Sequence, residues 1–168
     1  MKILLLSDTH DHIDDLILQY TVGVDEIWHA GDIGTLACIQ QLTALKPVRA
    51  VYGNIDGREL RLTYPLDAVF DVEGIKVWMT HIGGYPGHYE PRVRKLLPTH
   101  RPDLFICGHS HILRVMRDPA TRMLCLNPGA AGVHGFHKMR TMLRFEISTG
   151  QILHMEAIEL GPRGKLPK

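Results

Sequence analysis

Five short strand-like segments of this chain each end at a polar residue of a type that binds metals or takes part in catalysis. The segments span residues 3–6, 26–29, 48–52, 75–79 and 104–107, and the residues that follow them are Asp8 and His10, Asp32, Asn54, His81, and His109 and His111. Glycine accompanies four of the five ends. In α/β folds, chemistry is placed at the carboxyl ends of the strands. We therefore expect these seven side chains to lie close together.

The order of the predicted elements indicates an α/β fold. The first three strand-like segments alternate with helical segments at about residues 12–22 and 36–43, which is the βαβ rhythm of a parallel sheet. They are followed by a hairpin at 68–79, a helix at 90–97 that is broken by residues 98–102, and strands at 113–117, 123–126, 141–147 and 153–158. The pattern predicts two packed sheets. One is largely parallel at its start, and the other is more antiparallel and lies later in the sequence.

Composition limits the classes of function open to the chain. Its 168 residues favour one domain over residues 1–160, with a flexible tail at 161–168. A formal net charge of +1 argues against a strong patch for nucleic acid, and no run approaches membrane-spanning length. Three scattered cysteines, Cys38, Cys107 and Cys125, argue against a disulfide framework and for a cytoplasmic location. The oligomeric state stays open, and a homo-oligomer is among the alternatives.

The polar residues suit a site for divalent metal ions, although each motif also has an ordinary structural explanation. A carboxylate beside an imidazole, as in Asp8 and His10, suits manganese, iron or zinc, but the same triplet also describes a helix cap with a surface histidine. The segments around Asp32 and Asn54 are also typical turns. Two neighbouring metals need a shared anionic ligand, and Asp32, central in the set, is the natural bridge.

The order of the motifs, Asp-x-His, Gly-Asp, Gly-Asn, His and Gly-His-x-His, resembles that of the calcineurin-like metallophosphoesterases. Asn-Pro-Gly at residues 127–129 makes the chain similar to the small phosphodiesterase branch of bacteria and archaea. This resemblance implies a four-layer αββα sandwich of two mixed β-sheets flanked by helices. It also implies two divalent metal ions, often manganese, with iron, zinc or nickel also seen. By position, one ion would be held by Asp8, His10, Asp32 and His111, and the other by Asp32, Asn54, His81 and His109.

The function that the resemblance implies is hydrolysis of small phosphodiesters by a metal-dependent enzyme. A water or hydroxide held between the two metals would attack phosphorus in line, with Asp32, Asn54 and His81 as the catalytic set. In related phosphatases, a histidine that helps the leaving group follows the metal-binding asparagine, whereas this chain has Ile55. An activated diester is therefore the easier substrate. The alternative is a non-catalytic protein-binding scaffold of the same fold, as in the retromer subunit.

Two glycine-rich segments, residues 83–88 and 132–137, are candidates for the walls of the site. Five residues in or just beyond these segments are candidate substrate contacts. They are Tyr85, His88 and His134, together with Lys138 and Arg140 as candidate phosphate ligands. Ordinary surface loops explain Tyr85, His88 and His134 equally well, and they are the favoured explanation for Lys138 and Arg140. His29 lies inside a predicted strand, so we expect it to support the core or a ligand and not to bind a metal itself.

Overall fold

The computed structural model describes residues 1–164, which contain twelve strands and four helices. In chain order these elements are β1 (Lys2–Leu6), α1 (Asp15–Gln19), β2 (Glu26–His29), α2 (Leu36–Thr43), β3 (Val48–Ala50), α3 (Arg58–Thr63), β4 (Asp67–Val72), β5 (Ile75–Thr80), β6 (Gly84–Tyr85), β7 (His88–Tyr89), α4 (Pro91–His100), β8 (Leu104–Ile106), β9 (Leu113–Arg117), β10 (Leu124–Pro128), β11 (Met139–Ser148) and β12 (Gln151–Pro162). None of the helices in these residues has the length and apolar character needed to cross a bilayer.

Two five-stranded sheets carry most of the structure. The first has the order β12-β11-β1-β2-β3, and the second has the order β4-β5-β8-β10-β9. Strands β1, β2 and β3 run parallel, as do β5, β8 and β10 in the other sheet. Each sheet is mixed, because β11 and β12 are antiparallel additions to the first and β4 and β9 to the second. Because β1, β2 and β3 are parallel, and β5, β8 and β10 are parallel, the carboxyl ends of three strands lie at the same edge of each sheet.

Alternation along the strands assigns side chains to separate layers. In β1, Ile3 and Leu5 face the core between the two sheets, whereas Leu4 and Leu6 pack with Ile17 of α1 on the outer face. This period of two is what a strand requires when both of its faces are covered. On the second sheet, the outer layer is formed by Trp78 and Phe105 against Val93 of α4, while their neighbours in sequence face inward. The predicted four-layer αββα sandwich is confirmed.

The structure corrects several predicted boundaries. The first helix is shorter than residues 12–22, because the Asp14 side chain caps it by accepting a hydrogen bond from the Ile17 backbone N–H. Helix α4 continues through Pro98 to His100, beyond the break predicted at residue 98. A proline inside a helix lacks its backbone donor and crowds the carbonyl four residues earlier, yet the helix runs two residues further. Arg101, in the left-handed conformation, then closes the end by donating its N–H to Leu97 O. Helix α3 and the small β6–β7 ribbon were not predicted.

The last hairpin joins the first sheet and not the second, contrary to the prediction from sequence order. Strand β11 pairs along β1, with Lys2 opposite Glu146 and Leu5 opposite Leu143. It thereby covers the edge of β1 that β2 leaves free. Strand β12 also extends through residues 161 and 162, where a tail was predicted to begin. The rest of that predicted tail, residues 165–168, lies outside the described residues, and a single domain over 1–160 stays a prediction.

Arg140 is a buried structural residue, which argues against the candidate role as a phosphate ligand that the sequence left open. It is fully buried at the start of β11. Its Nε donates to Ala131 O over 2.8 Å, and its Nη1 donates to Asp14 Oδ2 over 2.8 Å. The remaining nitrogen, Nη2, is buried without a hydrogen-bond partner among residues 1–164. The Asp14 carboxylate is therefore the counter-charge on which this guanidinium depends.

We predict that Asp14→Asn lowers the free energy of unfolding by about 3 kcal/mol, because a buried pair that loses one partner leaves an uncompensated charge. Asparagine preserves the helix cap through its oxygen, so the change removes the charge and the hydrogen bond from Arg140 together and leaves the cap in place. Although burial raises the pKa of Asp14, the bond from Arg140 outweighs it and holds that pKa below its ordinary value of 3.8. The contribution should be complete above that value and disappear as the pH falls through the lowered pKa.

Urea unfolding between neutral pH and about pH 3 measures both effects. Asp15→Asn is the matched control, since Asp15 is the exposed neighbour in the same helix turn. Equal stability of the two variants at neutral pH would contradict the account of Arg140.

Candidate metal centre

The seven predicted ligands lie where the strand ends of the two sheets meet. Asp8 and His10 follow β1, Asp32 follows β2, and Asn54 follows β3 in the first sheet. His81 follows β5, and His109 and His111 follow β8 in the second sheet. Six of the seven form two groups that could each hold a metal ion: Asp8, His10 and His111, and Asp32, His81 and His109. Residues that are more than 100 positions apart in the sequence, such as His10 and His111, are thus brought together by the topology.

In the first group, the Nε2 atoms of both histidines point at the same carboxylate. His111 Nε2 lies 3.1 Å from Asp8 Oδ1, and His10 Nε2 lies 4.0 Å from it. The two imidazole nitrogens are themselves 3.4 Å apart. Three ligand atoms within 4.8 Å of one another can all reach one metal ion at bond lengths near 2 Å.

In the second group, the Asp32 carboxylate lies between the two sets of imidazoles. Its Oδ1 is 3.2 Å from His81 Nε2, and its Oδ2 is 3.7 Å from His10 Nε2 in the first group. Burial opposes ionisation of Asp32, but its contacts with His81 and with the backbone N–H of Ile55 outweigh it, so that its pKa is lowered. Asp32 is an anion that faces both groups.

Two buried polar atoms of the centre lack a partner that a bound cation would supply. Among residues 1–164, Asp8 Oδ1 and His81 Nε2 are buried and have no hydrogen-bond partner, although other candidate ligands lie within 4 Å of each. A buried polar atom without a partner is costly. Carboxylate and imidazole donors are also the set that manganese, iron and zinc accept. The residues present therefore fit a divalent metal.

The backbone of the candidate ligands is unusual, which the sequence did not reveal. Five of them lie in the left-handed region, with φ of 54° for Asp8, 46° for His10, 54° for Asp32, 66° for His109 and 56° for His111. Non-glycine residues rarely adopt this conformation, and strained backbone of this kind costs about 1–3 kcal/mol per residue and clusters at functional sites. Cross-loop bonds hold it in place, since Asp8 N donates to Gly31 O and His10 N donates to Asp32 O.

The glycines near the strand ends are there because the ligands leave no room for a Cβ atom. A Cβ at Gly53 would lie 2.1 Å from Asp32 Oδ1, and one at Gly108 would lie 2.0 Å from Ser7 Oγ and 2.9 Å from Asp8 Oδ2. Real Cβ contacts are never this short. The glycine pattern noticed in the sequence is thus explained by close approach of the backbone to the carboxylates.

Hydrogen bonds to the far ring nitrogens orient the imidazoles of His81 and His111. His81 Nδ1 lies 2.8 Å from Ala30 O, so Nδ1 carries the proton and Nε2 is left to face Asp32. His111 Nδ1 lies 3.1 Å from His137 Nδ1, and His137 Nε2 lies 3.0 Å from Gly132 O. Partners of this kind fix the tautomer of a metal-binding histidine. His137 was missed by sequence reasoning, and its only signal was its place in the glycine-rich segment 132–137.

The remaining histidines mostly behave as expected. His29 is buried, contacts Thr9 Oγ1 at 2.9 Å and accepts a bond from Gly31 N, and burial lowers its pKa to about 4. It is therefore a neutral supporting residue, as predicted.

Two of the candidate ligands are also favoured in their neutral form. Burial lowers the pKa of His10 and of His109, which favours the neutral imidazole that binds a metal.

A groove of about 450 Å³ exposes the centre on one side. Five candidate ligands line it, namely His10, Asp32, Asn54, His109 and His111, while Asp8 and His81 are buried. The segment 134–137 forms one wall, as predicted, and His134 stacks near His10 with ring centroids 5.4 Å apart. Tyr85, His88 and Lys138 do not line this groove. Tyr85 instead packs against Arg114, whose Cζ atom lies 3.7 Å from the centroid of the Tyr85 ring.

Residues 1–150 match the calcineurin-like phosphoesterase superfamily domain. The chain belongs to this superfamily. The family prediction made from the motif order is thereby confirmed.

Two archaeal relatives are similar in sequence to this superfamily member. A probable metallophosphoesterase of Methanothermobacter thermautotrophicus is 31% identical over 140 residues, which cover 79% of this chain and 78% of the relative. A phosphodiesterase of Methanocaldococcus jannaschii is 28% identical over 145 residues, which cover 77% of this chain and 83% of the relative. Both names describe phosphoesterases. Together with the superfamily match, they support hydrolysis of phosphoric esters as the general activity of this chain.

Solved structures share the fold at lower identity. An archaeal phosphodiesterase superposes with a TM-score of 0.73 and 23% identity, covering 95% of this chain and 100% of that one. Wild-type Vps29 of Entamoeba histolytica, solved as a complex with zinc, superposes with a TM-score of 0.74 and 17% identity, covering 95% and 99%. At these identities the likeness shows the fold alone.

We predict that Gly53→Ala weakens the affinity of this calcineurin-like domain for Mn²⁺ by at least about tenfold, because changes that displace a ligand's support typically cost about 10–100-fold. The new methyl group must displace the Asp32 carboxylate, whereas φ at Gly53 is ordinary, so the effect is steric. Gly57→Ala in the same loop is the control, since no atom lies within 4 Å of a Cβ there. Calorimetric titration of chelator-treated protein measures the affinity, and equal loss in both variants would refute the steric explanation.

Proposed function

We propose that this protein is a dinuclear metal-dependent phosphodiesterase that hydrolyses small phosphodiesters. The observation that carries the proposal is the position of Asp32, whose two carboxylate oxygens face imidazoles of different ligand groups at 3.2 and 3.7 Å. A carboxylate in this position supports sharing between two ions. Seven nitrogen and oxygen donors also exceed what a single tetrahedral ion binds.

Each side chain has a role in this proposal. Asp8, His10 and His111 would hold one metal, Asn54, His81 and His109 would hold the other, and Asp32 would bind both. Two such ions supply charge neutralisation for a phosphate and a water of lowered pKa as the nucleophile. The mixed imidazole and carboxylate set suits manganese, with iron, zinc or nickel as alternatives. His137 and Ala30 O keep the rings of His111 and His81 in the orientation that binding requires.

The preference for diesters rests on the residue after Asn54. The Ile55 side chain lines the groove beside the ligands and cannot donate a proton to a leaving group. Of the two histidines named above as candidate substrate contacts, His134 lines the groove and His88 does not. His134 packs near His10 and does not occupy the position that follows Asn54, where related phosphatases have their histidine.

A protein-binding scaffold is the alternative, and the Vps29 structures support it only at the level of the fold. A scaffold has no need for Asp8 Oδ1 and His81 Nε2 to be buried without partners or for five left-handed residues at one place. These features destabilise the protein unless a ligand uses them. The enzyme is therefore the better-supported proposal.

A cytoplasmic setting is also part of the proposal. Cys38, Cys107 and Cys125 are all free and buried. Burial raises the pKa of Cys38 to about 11, that of Cys107 to about 12 and that of Cys125 to about 11. Such thiols remain protonated and unreactive, and the core does not depend on a disulfide bond between them.

We predict that Mn²⁺-loaded protein hydrolyses bis(p-nitrophenyl) phosphate with a higher kcat/KM than p-nitrophenyl phosphate, because no lysine or arginine of residues 1–164 lines the groove to bind a second negative charge. Treatment with a chelator should abolish both activities, and Mn²⁺ should restore them. The measurement is initial rates on both substrates with the same protein. An equal or higher kcat/KM on the monoester would contradict diester preference, and rates that survive chelation would contradict metal dependence.

A further inference from the structure

Three large apolar side chains border the groove over the candidate metal centre, and we call them the apolar rim: Ile55, Ile112 and Phe136. Phe136 is fully exposed, while Ile112 is 52% and Ile55 47% exposed. Single exposed apolar residues are ordinary on a protein surface. Three of them around one groove form a concentrated apolar surface of the kind that marks a binding site.

Each member of the apolar rim is a sequence neighbour of a residue of the centre. Ile55 follows Asn54, Ile112 follows His111, and Phe136 precedes His137. The loops that position the ligands therefore also position the rim. A group bound at the metals would lie against these side chains.

The backbone under Phe136 is fixed to a candidate ligand on both sides. A Cβ on Gly135 would lie 2.3 Å from His111 Nδ1, and His137 Nδ1 is 3.1 Å from the same atom. His137 is held in turn by Gly132 O. Phe136 is thus presented on a fixed support although a fully exposed ring buries no area that stabilises the fold.

Charge defines what the groove can accept. Among the described residues, no lysine or arginine lines it. Two arginines line a neighbouring groove that shares Asn54, where Arg61 donates to the carbonyls of Gly53 and Asn54 and Arg92 pairs with Asp67. Arg163 Nε donates to the backbone oxygen of His137 over 3.0 Å, but its side chain does not line the groove. An anionic substituent over the apolar rim would meet apolar carbon, imidazoles and the Asp32 carboxylate, and no ammonium or guanidinium group of the described residues lines the groove to pair with it. The volume of about 450 Å³ matches sites for small molecules.

We propose that the apolar rim binds one arm of the substrate, and that this arm is an uncharged aromatic group. The substrate class is then a small aryl-type phosphodiester whose phosphate binds at the metals and whose ring lies against Phe136, Ile112 and Ile55. This inference rests on the proposed function, because it requires the phosphate to be held at the centre.

Binding of slowly reacting diester analogues to Mn²⁺-loaded protein tests the proposal without relying on turnover. The probes are the O-methyl esters of phenylphosphonate, methylphosphonate and carboxymethylphosphonate, whose variable arm is joined by a P–C bond that hydrolysis does not break and whose single ester bond has methoxide, a poor leaving group. The first two are monoanions and differ only in the arm. Calorimetry should give about tenfold tighter binding for the phenyl compound than for the methyl compound, from ring contacts and buried area. The carboxymethyl compound should bind most weakly.

Variants assign the preference to the rim. Phe136→Ala should reduce the phenyl preference to about twofold, and Ile112→Ser in addition should remove it. Phe136→Leu should retain most of it. Leu62→Ser is the control, since Leu62 is 77% exposed on α3 and does not line the groove. Phe136 is fully exposed, so its loss leaves the core intact.

The outcomes separate this inference from the function on which it rests. Equal binding of the phenyl and methyl compounds would overturn the inference and leave a phosphodiester site standing. A phenyl preference that survives in the double variant Phe136→Ala and Ile112→Ser would also overturn it. Failure of all three compounds to bind Mn²⁺-loaded protein would overturn the proposed function and the inference together.

Discussion

Two buried carboxylates, those of Asp8 and Asp32, lie less than 4 Å from imidazole nitrogens contributed by both sheets. Charges in this position are costly unless they are paired, and the protein atoms around them leave Asp8 Oδ1 and His81 Nε2 without hydrogen bonds among the described residues. The surrounding structure must therefore hold these groups in place against their own repulsion and desolvation. It does so by joining the loops to one another, as where Gly108 N donates to His81 O and His109 N donates to Asp8 Oδ2.

The same constraint explains the conformation of the loops. Five candidate ligands are in the left-handed region, and glycines such as Gly53 and Gly108 lie where a Cβ would overlap a neighbouring side chain. The sandwich below is regular and well packed, with continuous alternation of inward and outward side chains along β1. Strain and unpaired polar atoms are concentrated at one edge, while the stabilising apolar burial lies elsewhere. This separation is typical of a site whose geometry serves a ligand and not the stability of the fold.

Sequence reasoning predicted two packed sheets and a cluster of candidate ligands at the strand ends because both depend on local pattern, whereas the four layers were implied by the resemblance in motif order. Apolar runs such as residues 3–6 and the polar residues that end them are visible without coordinates, and parallel strands bring such ends together. The pairing of β11 with β1 was not predictable in this way, because it depends on which sheet edge is free in three dimensions. Arg140 and His137 were misjudged or missed for a related reason. Their roles are set by partners distant in sequence, Asp14 and His111, and no local spacing indicates either contact.

The most direct test of two metals sharing Asp32 is a calorimetric titration of chelator-treated protein with Mn²⁺, checked by elemental analysis of the loaded product. The account predicts two equivalents of metal per chain in the wild type and weakened binding of both in Asp32→Asn. The exposed Asp71 provides the control variant Asp71→Asn, which should retain both equivalents. A single equivalent in the wild type, or an Asp32→Asn variant in which one of two binding steps is unchanged, would contradict the shared carboxylate.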